Sequence, residues 1–316
     1  MTWTATDIPD QSGRTAIVTG GNGGLGLETA RELARKGAHV IIAARNLDKA
    51  ATAEAAIRAD VGEASLEVRK LNLSSKASIA DFAAAVLADR KTVDLLFNNA
   101  GVMATPEQET ADGFELQFGT NHLGHFYLTY LLMPALLAAG SARIVNTTST
   151  ARFSAGKYDL ANLHSRGTYK PWEAYGVSKR ANLHFAIELN ARLAAAGSGA
   201  KAYSADPGFS KTDLQATSAA ASEGISQKLT QVMVRVTGQS AARGALPQLR
   251  AGTDPAAPGG ALYRPRWVAQ GAPVIGKVGD KLSKPADLAG LWDVSQDDLD
   301  IKFDVPALVA AAAGSQ

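Results

Sequence analysis

A tyrosine and a lysine stand four residues apart at Tyr175 and Lys179, inside a run over 172–193 that has the pattern of a helix. Residues four apart lie on one face of a helix, one turn from each other. The ammonium group is then near the phenol, and a nearby positive charge lowers the pKa of a tyrosine. A phenol of this kind can exchange a proton with an alcohol or a carbonyl near neutral pH. A tyrosine and a lysine at this spacing also occur on ordinary helix surfaces. Other motifs in the chain must therefore decide whether this pair is catalytic.

The composition limits the classes of protein to which the chain can belong. Its 316 residues are 46% hydrophobic and 20% charged, with a formal net charge of +2 and no basic block that would indicate nucleic acid. The absence of cysteine excludes disulfides and thiolate chemistry and fits a reducing, cytoplasmic compartment. The first residues do not have the pattern of a signal peptide, and no apolar run is long enough to predict a membrane span.

Short apolar runs alternate with longer helical patterns through the first two thirds of the chain. The predicted strands are 15–19, 39–44, 66–71, 93–98, 143–147 and 201–205, with a short last strand and its partner at 261–263 and 274–275. The predicted helices are 25–36, 47–59, 76–89, 114–138 and 172–196. Runs such as HVIIAA suit strands that are covered on both faces. We therefore predict an α/β fold, a single domain with a doubly wound parallel sheet of about seven strands and helices on both faces.

The turn after the first strand is rich in glycine and opens a helix. Glycines let the backbone approach a pyrophosphate, and the N-terminus of the helix offers free N–H groups to it. The string fits G-x-G-x-x-G at 21, 23 and 26, and it also fits T-G-x-x-x-G-x-G from 19 to 26, so the frame stays open. A turn that is merely flexible is the alternative. The predicted dinucleotide contacts here are Gly20, Asn22, Gly24, Leu25 and Gly26.

The end of the second strand indicates which dinucleotide is bound. An NAD site usually has an acidic residue there, whereas this strand is followed by Arg45 and Asn46. A guanidinium suits a 2′-phosphate, so we expect NADP rather than NAD. A solvent-exposed arginine is the alternative for Arg45, and Asn46 could instead cap the next helix.

Further polar or small residues follow the other strands, at the edge where ligands are expected. Asn72 could contact the adenine or cap the following turn. The small amides and turns after the later strands could form a wall against the cofactor, or they could be plain structural turns. A hydroxyl at the end of the fifth strand could donate to a substrate oxygen. The residues assigned to the cofactor on this basis are Asn72, Leu73, Asn99, Ala100, Gly101, Pro207 and Gly208.

A second group of expectations concerns helices and loops. Asn121 and Gly124 inside a long helix predict a local bulge that frees a carbonyl, or a tight helix crossing, while His122 and His125 are interpreted as ordinary polar or core residues. The 151–171 loop and the segment 214–260 are predicted to shape the substrate site. The one-sided helix expected at 225–236 either packs on the core, as such helices usually do, or forms a substrate lid. A capped turn is expected at 292–299. Aromatic candidates for the pocket are Phe153, Trp172, Tyr203 and Phe209, although packing in the core explains any single one of them better.

These motifs, in this order, resemble the short-chain dehydrogenase/reductase family, a family with the Rossmann fold, over about residues 13–213. The motifs are T-G-x-x-x-G-x-G from 19, N-N-A-G from 98, Asn121, Ser149, Y-x-x-x-K from 175 and P-G at 207. The sequences R-N-L at 45 and L-W-D-V-S at 291, with the long gap between Ser149 and Tyr175, are most similar to its retinol-dehydrogenase-like branch, in the form of its soluble bacterial members.

The resemblance implies a role for each matching residue. Tyr175 is the general acid in reduction and base in oxidation, and Lys179 lowers its pKa and binds the nicotinamide ribose. Ser149 binds the reacting oxygen, and Asn121 holds a water that connects Lys179 to solvent. Thr212 bonds the nicotinamide amide. Asn72, where the family often has aspartate, and Asp206, where relatives vary, depart from the pattern.

The sequence therefore predicts an NADP(H)-dependent oxidoreductase that interconverts an apolar ketone or aldehyde with its alcohol. The alternatives are an NADP(H)-binding regulator without turnover, and a reductase of carbon–carbon double bonds. We expect no nucleic acid, no metal and no membrane span. Pairing through the long helices would give a homodimer or homotetramer.

Overall fold

The computed structural model describes residues 2–156, 158–209 and 239–314. Its strands are β1 (Thr15–Thr19), β2 (His39–Ala44), β3 (Leu66–Lys70), β4 (Leu95–Asn98), β5 (Arg143–Thr147), β6 (Lys201–Ala205), β7 (Leu262–Pro265) and β8 (Pro273–Gly276). Its helices are α1 (Gly24–Arg35), α2 (Leu47–Val61), α3 (Lys76–Asp89), α4 (Leu116–Phe118), α5 (Gly124–Ala138), α6 (Pro171–Ala195), α7 (Ala241–Thr253), α8 (Pro285–Leu299) and α9 (Val305–Ala313). A π-helical turn (Gly119–Leu123) joins α4 to α5, and a 3-10 turn (Thr150–Ser154) follows β5.

One sheet carries all eight strands, in the order β3-β2-β1-β4-β5-β6-β7-β8. Neighbouring strands are parallel except β7 and β8, which form an antiparallel pair. The chain reverses its direction of winding between β1 and β4, and in such sheets a ligand crevice lies there, at the carboxyl ends of the strands. The predicted doubly wound α/β sheet is thus confirmed, with eight strands rather than about seven.

The central strands are hydrophobic because both of their faces are covered. All five residues of β1 and all four of β4 are buried. One core joins the sheet to α3, α5, α6 and α8, and the other joins its opposite face to α1, α2 and α7. The helix that carries Tyr175 and the helix that follows the glycine turn therefore lie on opposite faces of the sheet.

Three expectations about the later part of the chain need correction or lie outside the structure. Residues 241–253 are not part of a lid, because they form α7, which packs on β5, β6 and α1. Residues 292–299 are the second half of the fifteen-residue helix α8, not an isolated capped turn. The predicted helix at 225–236 lies outside the described residues. Within those residues, no helix combines the length and the apolar character that crossing a membrane requires.

Candidate active site

The glycine turn between β1 and α1 has room for a ligand but not for side chains. Gly20 and Gly24 have φ angles of +67° and +49°, which favour glycine. A methyl group added at Gly26 would lie 2.2 Å from the carbonyl oxygen of Gly20. These three positions favour the T-G-x-x-x-G-x-G frame. Asn22 and Leu25 are half-buried on the same turn.

The start of α1 fits an anionic group. Gly23 occupies the N-cap and gives no side-chain cap, and the first turn contains no acidic residue. The first N–H groups of a helix have no partner within it, and the helix dipole favours a negative charge there. These features suit a phosphate group, which is the contact that the sequence predicts at this turn.

A buried network fixes the turn to the strand ends beside it. The hydroxyl of Thr19 accepts from the N–H groups of Asn99 and Ala100, at 2.9 and 3.0 Å. The side-chain amide of Asn99 donates to the carbonyl of Thr19 at 2.8 Å. The oxygen of the same Asn99 amide accepts from Nε2 of Gln248 on α7 at 3.2 Å. The turn is therefore held by the residues that follow β4, and α7 supports one of these residues in turn.

The residues after β2 and β3 were interpreted either as cofactor contacts or as local structural residues, and the structure separates them. Arg45 is exposed and has no ion pair within the residues described. Asn46 caps α2, because its side chain accepts from the N–H of Lys49 at 2.9 Å. Asn72 closes a local turn by accepting from the hydroxyl of Ser74 at 2.8 Å. Arg45 is therefore the residue of these three whose side chain has no local partner within the described part of the chain.

Tyr175, Ser149 and Lys179 meet in one site, although they come from two elements. Ser149 precedes the 3-10 turn after β5, and its hydroxyl lies close enough to the phenol of Tyr175 on α6 to lower the pKa of that phenol. The Nζ atom of Lys179 lies 5.7 Å from the centre of the Tyr175 ring and donates to the carbonyl of Thr147 at 3.2 Å. Tyr175 and Lys179 are 5% and 3% exposed, so water does not screen them. The structure thus brings together the phenol, amine and hydroxyl.

The pKa of Tyr175 departs from the sequence-based expectation. Burial raises it above the usual value, the hydrogen bond to Ser149 lowers it, and the carboxylate of Asp206 raises it further. Desolvation of the phenolate outweighs the favourable bond. The expected lowering of the Tyr175 pKa is therefore wrong. Tyr175 is protonated at neutral pH and can donate its proton.

Lys179 has the opposite shift. Burial lowers its pKa to about 8, while Asp206 opposes that change. A methyl group added at Gly101 would lie 3.5 Å from Nζ of Lys179 and 2.9 Å from Oδ1 of Asn121. The lack of a side chain at Gly101 therefore leaves room for the amine of Lys179 and the side chain of Asn121.

Asn121 lies in the π-helical turn, as the predicted bulge requires. The N–H of Gly124 bonds to the carbonyl of Gly119, five residues back. Both side-chain atoms of Asn121 are used, since Oδ1 accepts from the N–H of Val102 at 2.7 Å and Nδ2 donates to the carbonyl of Val102 at 2.9 Å. Gly124 also packs closely on the chain after β3, where an added methyl group would lie 2.4 Å from the carbonyl oxygen of Leu73. The predicted bulge is thus found, whereas the close contact at Gly124 is with the loop after β3 and not with a crossing helix.

His125 was interpreted as an ordinary core residue, but it connects two parts of the site. Its Nδ1 lies 2.9 Å from the carbonyl oxygen of Asn121, and its Nε2 lies 2.9 Å from the hydroxyl of Thr19. A carbonyl only accepts, so Nδ1 carries the proton and Nε2 accepts from Thr19. Burial lowers the pKa of His125 to about 4, so the ring is neutral.

The four aromatic candidates for the substrate pocket differ in exposure and in position. Phe153 follows Ser149 on the 3-10 turn and is 67% exposed, and Trp172 is 40% exposed with its ring edge-on to that of Tyr175, 6.2 Å between centres. Phe209 is half-buried beside the turn at 207–208. Tyr203 does not line the site, because it is fully buried in the core on the other face of the sheet, where its hydroxyl donates to the carbonyl of Ala257.

The remaining predicted contacts lie at the end of β6. Pro207 and Gly208 form a half-buried turn there, in which the φ angle of Gly208 is +65°. Thr212 lies outside the described residues. Sequence reasoning missed Gly176, at which an added methyl group would lie 2.6 Å from the carbonyl oxygen of Ala151. The tight contact between α6 and the 3-10 turn brings Tyr175 to Ser149.

Comparisons with known proteins agree with this geometry. A sequence profile described as short chain dehydrogenase matches residues 14–223. Retinol dehydrogenase 12 of Mus musculus is 48% identical over 196 residues, which are 62% of this chain and 61% of that protein. Polyprenol dehydrogenase of Mus musculus is 43% identical over 211 residues, 66% of this chain and 63% of that protein. The matched regions therefore span less than two thirds of these relatives.

Two solved structures extend the comparison beyond the matched sequence. An uncharacterized protein from Mycobacterium Paratuberculosis is 37% identical, with a TM-score of 0.78 over 96% of this chain and 99% of that chain. A protein described as an NAD(P)-dependent gluconate 5-dehydrogenase from Beutenbergia cavernae, solved with bound NADP at low occupancy, is 27% identical. Its TM-score is 0.62 over 80% of this chain and 95% of that chain.

Proposed function

From the premise that this chain belongs to the short-chain dehydrogenase/reductase family, we propose that it is an NADP(H)-dependent oxidoreductase that interconverts a carbonyl and an alcohol. The observation that carries the proposal is that Tyr175 and Lys179 are buried together on α6, with the hydroxyl of Ser149 close enough to act on the phenol. The bound dinucleotide supplies or accepts the hydride. In reduction, Tyr175 donates its proton to the carbonyl oxygen and Ser149 donates a hydrogen bond to the same atom.

The roles of the other two residues follow from their positions. The ammonium of Lys179 stabilises the phenolate that Tyr175 leaves behind, because the two groups share one face of α6. Asn121 fixes the π-helical turn against Val102, and its main-chain carbonyl keeps a second lone pair for a water that resupplies protons.

An apolar substrate fits the surroundings of Tyr175. Phe153 and Trp172 leave aromatic surface exposed near the catalytic phenol. The related proteins of known sequence include dehydrogenases named for retinol and polyprenol. We therefore propose ketones or aldehydes with an apolar chain as the substrate class.

The test of the reaction is product analysis with NADPH that carries deuterium at the transferable position of the nicotinamide. All-trans-retinaldehyde, an aliphatic aldehyde and an aryl ketone serve as probes. We expect an alcohol with deuterium on the former carbonyl carbon. Deuterium on a former alkene carbon would indicate a double-bond reductase. Tight NADPH binding with no product from any probe would indicate a regulator, and either result would contradict the proposal.

The preference for NADP is tested at Arg45. Its exposed guanidinium has no ion pair within the residues described and is free for a 2′-phosphate. Arg45→Asp should lower kcat/KM for NADPH by about 100-fold, since one charge-assisted contact is lost and repulsion is added. The value for NADH should rise or stay constant. An unchanged ratio between the two cofactors would remove Arg45 from the site.

A further inference from the structure

A buried ion pair joins the two chain segments that border the reacting groups. Arg152 on the 3-10 turn is 4% exposed, and Asp206 directly after β6 is 1% exposed. The Nη1 atom of Arg152 bonds to Oδ2 of Asp206 and also donates to the main-chain carbonyl of Ser149 at 2.7 Å. The other oxygen of Asp206 accepts from the N–H of Gly208 at 2.9 Å. One guanidinium and one carboxylate thus connect the catalytic serine to the turn at 207–208.

The stability of the fold does not account for this pair. Burying two charges costs several kcal/mol per ion, and well-packed apolar residues in their place are often as stable or more stable. The two residues are 54 positions apart and belong to different elements, so no local helix or turn requires them. Their bonds instead fix the relative position of two loops, each of which carries a predicted contact of the reaction.

The pair also lies within electrostatic range of the catalytic groups. The charged and titratable groups that face Asp206 are Arg152, Tyr175 and Lys179. The carboxylate favours the protonated form of both Tyr175 and Lys179. These are the forms that reduction of a carbonyl needs before hydride transfer.

We propose that Arg152 and Asp206 are positioning residues for the reaction: together they hold the main chain of Ser149 at a fixed distance from the turn at Gly208. The inference rests on the proposed function, because it names a distance that the reaction requires. Neither residue touches the reacting atoms. Loss of either loosens the Ser149 hydroxyl relative to the wall on which the nicotinamide would lie.

The first arm of the test measures turnover of all-trans-retinaldehyde with NADPH. Arg152→Met and Asp206→Asn should each lower kcat by 10-fold or more, with KM changed less than threefold. The double variant should lose no more than the worse single variant, because the two act as a unit. Arg152→Lys keeps the charge but not the fork of donors, so it should recover part of the rate and serves if Arg152→Met does not fold.

The matched control is Arg180→Met. Arg180 is on the same helix as Tyr175 and pairs with Asp287 at 3.0 Å, on the side that faces α8. Its loss should change kcat less than twofold. A control that loses as much activity as Arg152→Met, or a single variant with the parent rate, would overturn the proposal.

The second arm does not depend on turnover. Amide hydrogen exchange is followed by mass spectrometry in peptides that cover 148–156 and 206–209. Both variants should exchange at least 10-fold faster in these peptides, whereas Arg180→Met should not. Unchanged exchange would overturn the positioning role even if no carbonyl were turned over. Faster exchange in a protein without turnover would sustain the pair and contradict only the proposed function.

Discussion

The pH dependence of turnover is decided at the residue scale by Lys179. Burial favours its neutral amine and lowers the pKa from 10.5 to about 8. The ammonium is therefore present below about pH 8 and is lost as the pH rises through that value. We predict that kcat/KM for reduction is constant from about pH 6 to 7.5 and falls roughly tenfold per pH unit above 8.

The substitution Lys179→Arg tests whether deprotonation of Lys179 causes the fall in kcat/KM above pH 8. A guanidinium does not lose its proton in this range, so the fall should move above pH 9, although kcat drops because the larger group does not fit the space beside Gly101. The measurement is a pH–rate profile from pH 5 to 10 at constant ionic strength. A parent profile that stays flat to pH 10 would contradict the assignment.

The residues proposed for catalysis could be identified in the sequence because each falls in a short motif at a strand end or on one helix face. The direction of the Tyr175 pKa could not, since helix geometry gives the neighbouring charge but not the burial of the phenol. Arg152 and Asp206 also escaped prediction. Their contact joins loops 54 residues apart, and no periodicity in either segment marks it.

At the scale of elements, the contact between α6 and the 3-10 turn sets the distance from Tyr175 to Ser149. A Cβ atom at position 176 would lie 2.6 Å from the carbonyl oxygen of Ala151 and 2.7 Å from the N–H nitrogen of Ala155. Both neighbours are backbone, so the turn would have to move. We predict that Gly176→Ala lowers kcat more than 10-fold while the Kd for NADPH, measured by fluorescence, stays within threefold.

Gly279→Ala is the matched control for that substitution. No atom lies within 4 Å of the added methyl group, and this glycine is far from the 3-10 turn in the chain. The control should keep the parent kcat. If Gly176→Ala did so as well, the close approach of the two elements would not matter for catalysis.

The π-helical turn and the glycine turn depend on each other through His125. His125→Leu would leave the carbonyl of Asn121 and the hydroxyl of Thr19 without these buried bonds. Each such loss costs about 1–3 kcal/mol, so we predict that the free energy of unfolding falls by about 2–6 kcal/mol. Urea denaturation measures it.

His39→Leu provides the comparison for that measurement. His39 is half-buried and bonds to Ser65 at 2.8 Å, where water can replace the lost partner. Its loss should cost less than about 1 kcal/mol. Equal losses for the two histidines would show that the link between the turns adds nothing.

Element boundaries show where sequence patterns fail. The central strands and α3 were predicted to within two residues, because apolar runs and caps mark them. Helix α7 was missed, since Gly244 and Pro247 lower its helix propensity and its stability comes from packing on α1 and the sheet. Tyr203 was a candidate for the pocket, but alternation along β6 turns its ring to the core on the other face of the sheet.

At the scale of the whole molecule, the C-terminal helices complete the core behind the catalytic helix. Trp292 and Phe303 are buried against Phe126 and Phe185, which belong to α5 and α6. His122 in the π-helical turn bonds to Ser295 on α8 at 2.8 Å. The last part of the chain thus supports the helices of the site, a role that a short apolar pattern did not predict.

The central claim is that Tyr175 transfers the proton while the dinucleotide exchanges a hydride beside it. The most direct test is single-turnover reduction of all-trans-retinaldehyde by Tyr175→Phe saturated with NADPH. Positioned proton transfer contributes about 10²–10⁴-fold, so the rate should fall by at least 100-fold with the Kd for NADPH within threefold of the parent. A variant that binds NADPH and reduces the aldehyde at the parent rate would contradict the claim.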